Sequence, residues 1–135
     1  MTLSSDLEPV VAYFAHPVGD PDPAVVARNI AEARAFLGLL ILACPDVAWQ
    51  APWLPYLDVL REDGEFGPNR ARGMRDNRAC VRRCDVLVMV GRVPGGSKGM
   101  RDEAGAASDT LDCTGLEVGE VAEIVNAFAS GEGAS

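Results

Sequence analysis

The sequence predicts a small α/β domain, a doubly wound sheet of about four to five parallel strands with helices on both faces. Two apolar segments, 10–15 and 85–90, are typical of strands that are covered on both sides. Apolar residues recur at helical spacing between and after these strands. The 135 residues, 48% of them apolar, fit one globular domain spanning 1–135.

The first half of the chain predicts strand, helix and strand. A helix is expected over Ala24–Ala43, because Asp22 fits an N-cap and Pro23 fits the first helical position. The second strand is expected at Val47–Ala51. Prolines, glycines and acids in Pro52–Asn69 then predict a mobile excursion with a short helix at 56–61, and such an insertion in a compact domain often serves as a lid.

The second half repeats the alternation. Its predicted elements are a helix at Arg70–Cys84, a strand at Asp85–Val90, a helix from Ser97 through Ala107, a strand at Leu111–Leu116 and a helix at Glu117–Ala129. Right-handed crossovers between parallel strands make this order Rossmann-like or flavodoxin-like. The end segments 1–8 and 130–135 are expected to be flexible.

Charge and hydropathy exclude several classes of partner. The net charge of −8 and the pI of about 4.5 argue against nucleic acid and anionic membrane surfaces. The acidic N-terminus is not a signal peptide, and the apolar stretch 36–44 is too short to span a membrane. We therefore expect a cytoplasmic protein with no membrane partner.

The cysteines lack the spacing of a metal site. Cys44, Cys80, Cys84 and Cys113 contain no Cys-x-x-Cys pair, and His16 is the sole histidine. Buried free thiols in a reducing compartment are the favoured interpretation, with no metal and no cofactor expected.

Side chains with possible chemistry follow the first and third strands at their C-terminal ends. Because these ends meet at one edge when the strands are neighbours, we expect one site there. The helix before the third strand adds Asp76 or Asn77. The residues expected at this edge are Tyr13, His16, Pro17, Gly19, Ser97, Gly99 and Glu103, and Trp53 either stacks on a ligand or belongs to the core.

A pair of carboxylates at this edge suits cleavage of a glycosidic bond. One carboxylate attacks the anomeric carbon, and the other handles the proton of the leaving group. The nucleophile must be ionised, which a helix N-terminus favours, and a tyrosine hydroxyl can hold it in position.

Four segments resemble the nucleoside 2-deoxyribosyltransferase-like superfamily, which includes deoxynucleoside 5'-monophosphate N-glycosidases. Their order and spacing carry the resemblance, which covers roughly residues 9–116. The segments are Ala12–Pro17, Arg28–Ile30, Asp76–Met89 and the motif Ser97-x-Gly99-x-x-x-Glu103.

The resemblance implies a Rossmann-like fold and either transfer or hydrolysis of 2-deoxyribosyl groups through a covalent sugar–glutamate intermediate. Glu103 would be the nucleophile and Tyr13 its hydrogen-bonding partner. A nucleoside or nucleotide would be the ligand, and the acids Asp20 and Asp22 favour an uncharged one. Sites of the family are often completed by a neighbouring subunit, so a homodimer or higher homo-oligomer is implied.

The chain departs from the family pattern at two positions. His16 replaces the glycine or serine before the proline, and Asn77 stands where the catalytic aspartate is usual. Asn77 also lies on the apolar face of its helix, with Asp76 at the border. Either Asp76 serves as the acid or the activity is weakened or lost. The alternatives are therefore a non-catalytic nucleoside- or nucleotide-binding module and a flavodoxin-like domain that contacts a protein partner through 52–69.

Overall fold

A computed structural model of the protein describes residues 8–59 and 67–131. Its strands are β1 (Val10–Ala15), β2 (Val47–Gln50), β3 (Val86–Met89) and β4 (Thr110–Asp112). Its helices are α1 (Pro23–Ala43), α2 (Trp53–Val59), α3 (Pro68–Val81), α4 (Lys98–Ala106) and α5 (Val118–Ser130). The strands form one parallel sheet in the order β2-β1-β3-β4. The doubly wound α/β prediction is confirmed.

Helices cover both faces of the sheet. Successive residues of a strand point to opposite faces, and the neighbours Tyr13 and Phe14 of β1 show which helices lie where. The Phe14 ring lies 6.1 Å from the Phe36 ring of α1, whereas Tyr13 contacts Glu103 of α4. Because α5 packs on α1 and α3 packs on α4, each face carries a helix pair.

Local signals set the start of α1 as predicted. The Asp22 carboxylate accepts a hydrogen bond of 2.9 Å from the Ala24 N–H, and Pro23 is the first helical residue. This cap satisfies a donor that the helix itself leaves unpaired. Ala33 and Leu40 then bury the inner side of the helix against the core.

The final strand is shorter than predicted, because β4 ends at Asp112 rather than at Leu116. The Asp112 carboxylate accepts hydrogen bonds from the N–H (3.1 Å) and the hydroxyl (2.6 Å) of Thr114. Gly115 then adopts a φ of 82°, a conformation that favours glycine. The chain therefore turns where the apolar pattern of 111–116 suggested continued strand.

Within the segment 52–69, residues 53–59 and 68–69 are helical, whereas the sequence predicted a short helix at 56–61 alone. Helix α2 starts at Trp53, before the predicted 56, because the buried indole donates a 2.7 Å hydrogen bond to the Phe14 carbonyl. Helix α3 begins at Pro68 and ends at Val81. The central part of the predicted lid, residues 60–66, lies outside the described residues.

The flexible ends predicted at 1–8 and 130–135 fall largely outside the described residues. Ser130, however, is the last residue of α5, and Gly131 caps that helix with a φ of 81°. Across the described part of the chain, no helix combines the length and apolar character that crossing a membrane would need.

The loops after β1 and β3 touch at Gly91, and Gly91→Ala is expected to destabilise the fold by about 1–3 kcal/mol. Gly91 has a φ of +106°, and a Cβ there would lie 2.6 Å from Cδ of Pro17. Urea denaturation would measure the loss. Gly119→Ala is the control, because open space surrounds Gly119 in α5 and alanine favours helix there. Equal effects of the two substitutions would contradict the prediction.

Candidate functional site

The structure brings Tyr13 and Glu103 into direct contact. Tyr13 lies in the central strand β1 and is fully buried, and Glu103 in α4 is 7% exposed. The Tyr13 hydroxyl donates a hydrogen bond to Oε2 of Glu103 across 90 positions of sequence. A buried carboxylate thus faces a buried phenol beneath α4.

The start of α4 fixes the position of Glu103. Ser97 is the N-cap, and its hydroxyl accepts a hydrogen bond of 3.4 Å from the Met100 N–H. Met100 and Glu103 are three residues apart, share one side of the helix and are both buried. Gly99 lies in the first turn, and Arg101 ties the helix back to the preceding loop through a 3.0 Å bond to the Gly96 carbonyl.

Burial controls the protonation of this pair. Desolvation raises the pKa of Glu103 to about 7, with a smaller rise from Asp102, while the hydrogen bond from Tyr13 lowers it. Burial and the neighbouring carboxylate raise the pKa of Tyr13, so the phenol keeps its proton at neutral pH. Glu103 therefore changes its charge near pH 7, and the protonated Tyr13 hydroxyl beside it remains a hydrogen-bond donor.

Asp76 is held away from this pair. Its carboxylate accepts hydrogen bonds from the Tyr56 hydroxyl (2.6 Å) and from Nε of Arg75 (2.8 Å). These two hydrogen bonds lower the pKa of Asp76, which stays ionised. The contacts tie Asp76 to α2 instead of to Tyr13 and Glu103.

Asn77 lies on the inner side of α3. It shares a helix face with Cys80, which lies near Tyr13. Oδ1 of Asn77 is buried and has no hydrogen-bond partner among the described residues. An unpaired buried amide oxygen is costly, so this atom is available to a ligand.

Four predicted site residues lie elsewhere. Nδ1 of His16 donates a 2.7 Å hydrogen bond to the Pro17 carbonyl, and the His16 ring stacks on Phe14 on the α1 face. Gly19 is exposed in the following loop. Trp53 is 8% exposed and stacks on Phe14, with 6.3 Å between ring centroids. Trp53 is therefore packed in the core.

A cavity of about 390 Å³ that was not predicted from the sequence lies beside His16. Glu32, Arg92 and Glu117 line it together with apolar residues. The available signal was the position of Arg92 and Glu117, which follow the third and fourth strands at the same edge as His16. Residues 8–59 and 67–131 contain no cluster of three or more side chains able to hold a metal ion.

All four cysteines are unpaired thiols, and Cys44, Cys84 and Cys113 are buried, as the spacing predicted.

Comparison of the chain with protein-family models, curated proteins and solved structures found no match.

Proposed function

We propose that this protein cleaves N-glycosidic bonds of nucleosides or deoxynucleotides, by hydrolysis or by deoxyribosyl transfer, through a covalent intermediate on Glu103. The observation that carries the proposal is the buried Glu103 carboxylate, held by the buried Tyr13 hydroxyl under a helix that follows the third strand. Burying a carboxyl group without a cation costs stability. Such an arrangement, with a pKa raised toward neutrality, is typical of functional sites.

The chemistry is a double displacement. An ionised oxygen of Glu103 attacks the anomeric carbon, the bond to the base nitrogen breaks, and its electron pair leaves with the base. Water or a second base then attacks the same carbon from the opposite side and releases the carboxylate. Tyr13 holds Oε2 throughout, which leaves Oε1 free to attack.

Substrate access requires local opening, because Tyr13 and Glu103 are almost fully buried. Neither the cavity beside His16 nor a hollow of about 220 Å³ at Tyr56 is lined by them. Loops that open and close around a site are common in enzymes. We propose that the loop before α4, which the bond from Arg101 to the Gly96 carbonyl now anchors, moves to admit the substrate.

The direct test is release of free base from a panel of purine and pyrimidine deoxynucleosides and their 5'-monophosphates. Chromatography should detect base with the unmodified protein and none with Glu103→Gln, which keeps the size of the side chain and removes the nucleophile. Asp102→Asn is the matched control, because Asp102 is 42% exposed and pairs with Arg78. Equal release by all three proteins, or release by none, would refute the catalytic proposal.

Asn77→Asp is expected to raise the rate of base release by about a hundredfold, the usual contribution of a general acid. The amide cannot give a proton to the departing base, whereas a carboxyl group at the same place can. Asp76→Asn should leave the rate unchanged, because Asp76 is held by Tyr56 and Arg75. Loss of activity in Asp76→Asn, with no gain in Asn77→Asp, would reverse this assignment.

The second candidate is a nucleoside- or nucleotide-binding module without catalysis, and the turning of Asp76 toward Tyr56 favours it. It predicts thermal stabilisation by an intact ligand, about 2.7 kcal/mol at a hundredfold excess over Kd. Stabilisation without base release would favour the module. Base release would favour the enzyme.

A cytoplasmic homodimer or higher homo-oligomer belongs to the same proposal, because a neighbouring subunit often completes sites of the family that the motifs resemble. Light scattering on the purified chain would measure the mass. A mass of about one chain at micromolar concentration would remove the oligomer from the proposal without affecting the role of Glu103.

A further inference from the structure

The cavity beside His16 occupies the point where the sheet reverses its order. From β1, the chain adds β2 on one side and then β3 and β4 on the other. The crevice at the C-terminal ends of the strands flanking this reversal is the common ligand position of open α/β sheets. His16 follows β1, Gly91 follows β3 and Gly115 follows β4, and all three line the cavity.

The wall of the cavity suits an apolar body. Phe36 and Leu39 of α1 line one side, and Leu116 and Val118 line another. Leu39 is 52% exposed, although it is a large apolar side chain. A volume of about 390 Å³ lies within the range of small-molecule sites.

The polar atoms of the cavity are mostly acceptors. Because a carbonyl oxygen only accepts, the 2.7 Å contact with Pro17 makes Nδ1 of His16 the donor and leaves Nε2 as an acceptor in the neutral ring. Burial lowers the pKa of His16, which keeps the ring neutral at pH 7. Glu32 and Glu117 add carboxylates to the same lining.

The charged side chains around the cavity disfavour binding of an anionic ligand. Arg92 is the cation of the lining, and its Nη2 already lies 3.3 Å from Oε1 of Glu32. The start of α5 would attract an anion, but Glu117 stands there, and Glu120 accepts a 3.2 Å hydrogen bond from the Glu117 N–H. The Arg92 side chain is 83% exposed and that of Glu32 is 35% exposed, and Nε of Arg28 lies 3.9 Å from the same Glu32 oxygen. Because ion pairs with an exposed partner are weak, an incoming cation can replace the Arg92 guanidinium.

We propose that this cavity is a binding site for a small organic cation, an amine or amidine on an aromatic or aliphatic body. The body lies against Phe36 and Leu39, and the cationic head takes the place of Arg92 at Glu32, within reach of Glu117. The site is separate from the Tyr13–Glu103 pair, because α1 and α4 cover opposite faces of the sheet. It does not depend on the glycosidic chemistry proposed above.

Three matched probes test the proposal: 2-phenylethylamine, 2-phenylethanol and phenylacetate. Titration into the 135-residue chain, followed by amide NMR, should show saturable binding of the amine, with shifts at Gly91 and Gly115. The alcohol should bind more weakly and phenylacetate most weakly. Tighter binding of phenylacetate, shifts confined to other residues, or no saturation by any probe at about 10 mM, well above a millimolar Kd, would overturn the proposal.

Variants of the lining test separately how the charge and the volume of the cavity contribute to binding of the amine. Glu32→Gln and Glu117→Gln should each weaken the amine about fivefold, the effect of losing one partly exposed charge contact. Ala35→Phe, at an exposed helix position that borders the cavity, should abolish binding by filling it. Glu103→Gln should leave the Kd unchanged. The proposal would be overturned if Glu32→Gln, Glu117→Gln and Ala35→Phe all left the Kd for the amine unchanged. It would also be overturned if Glu103→Gln abolished binding of the amine.

Discussion

Glu103→Gln is expected to raise the free energy of unfolding at pH 8 by about 3 kcal/mol. The gain arises because the folded protein buries a carboxyl group whose pKa is raised to about 7, against an ordinary value of 4.5. The neutral acid is the form that folding favours. Its stabilisation is complete below about pH 4.5, declines as the pH rises, and is lost once the pH passes through 7.

Urea denaturation at pH 4 and pH 8 would measure this difference. The variant and the unmodified protein should be similar at pH 4 and should diverge at pH 8, with the variant more stable. Asp102→Asn, one residue away and exposed, should show no such divergence. Parallel stability curves for Glu103→Gln and the unmodified protein would contradict the burial argument. If the protein is the proposed enzyme, base release should rise through pH 7 as Glu103 ionises.

Phe14→Ala is expected to lower the free energy of unfolding by about 3–5 kcal/mol. Phe14 is fully buried at the centre of an aromatic cluster, with ring centroids 6.1 Å from Phe36 and 6.3 Å from Trp49 and Trp53. Removing the ring leaves a cavity that rigid neighbours in β1 and α1 cannot close. The packing of Trp53, and with it α2, should loosen as well.

Phe14→Leu should lose less, because it retains most of the apolar volume. Leu42→Ala is the surface control, because Leu42 is 81% exposed and its truncation should change stability by no more than about 0.5 kcal/mol. Urea denaturation would rank the three variants, and tryptophan emission would report on α2. A loss for Phe14→Ala no larger than that for Leu42→Ala would contradict the central role of the cluster.

The fold was predictable where local signals decide it. Asp22 and Pro23 mark the start of α1 in the sequence, and the unbroken apolar runs of β1 and β3 mark buried parallel strands. The contact between Tyr13 and Glu103 was also within reach, because both residues follow from strand-end geometry and motif spacing. These features depend on neighbours in the chain or on the general layout of an α/β sheet.

Other features depend on tertiary partners that a sequence does not name. The sequence left open whether Trp53 stacks on a ligand or belongs to the core. Its packing in the core depends on the hydrogen bond from its indole N–H to the Phe14 carbonyl. Asp76 sits at a helix border, and its direction was decided by the Tyr56 hydroxyl from another helix. The cavity beside His16 is lined by residues from four separate segments, and no spacing along the chain shows that these segments meet.

The adjacent placement of Tyr13 and Phe14 has a consequence for how the chain avoids misfolding. A slip of β1 by one residue against β3 would move the phenol into the aromatic cluster and the phenyl ring against the carboxylate of Glu103. The first exchange removes the Tyr13 hydroxyl from its acceptor, and the second deprives the buried Glu103 carboxyl group of its hydrogen-bond donor. A one-residue shift of β1 is therefore unfavourable on both faces of the sheet. The dipeptide Tyr13–Phe14 thus helps to fix the register of the central strand.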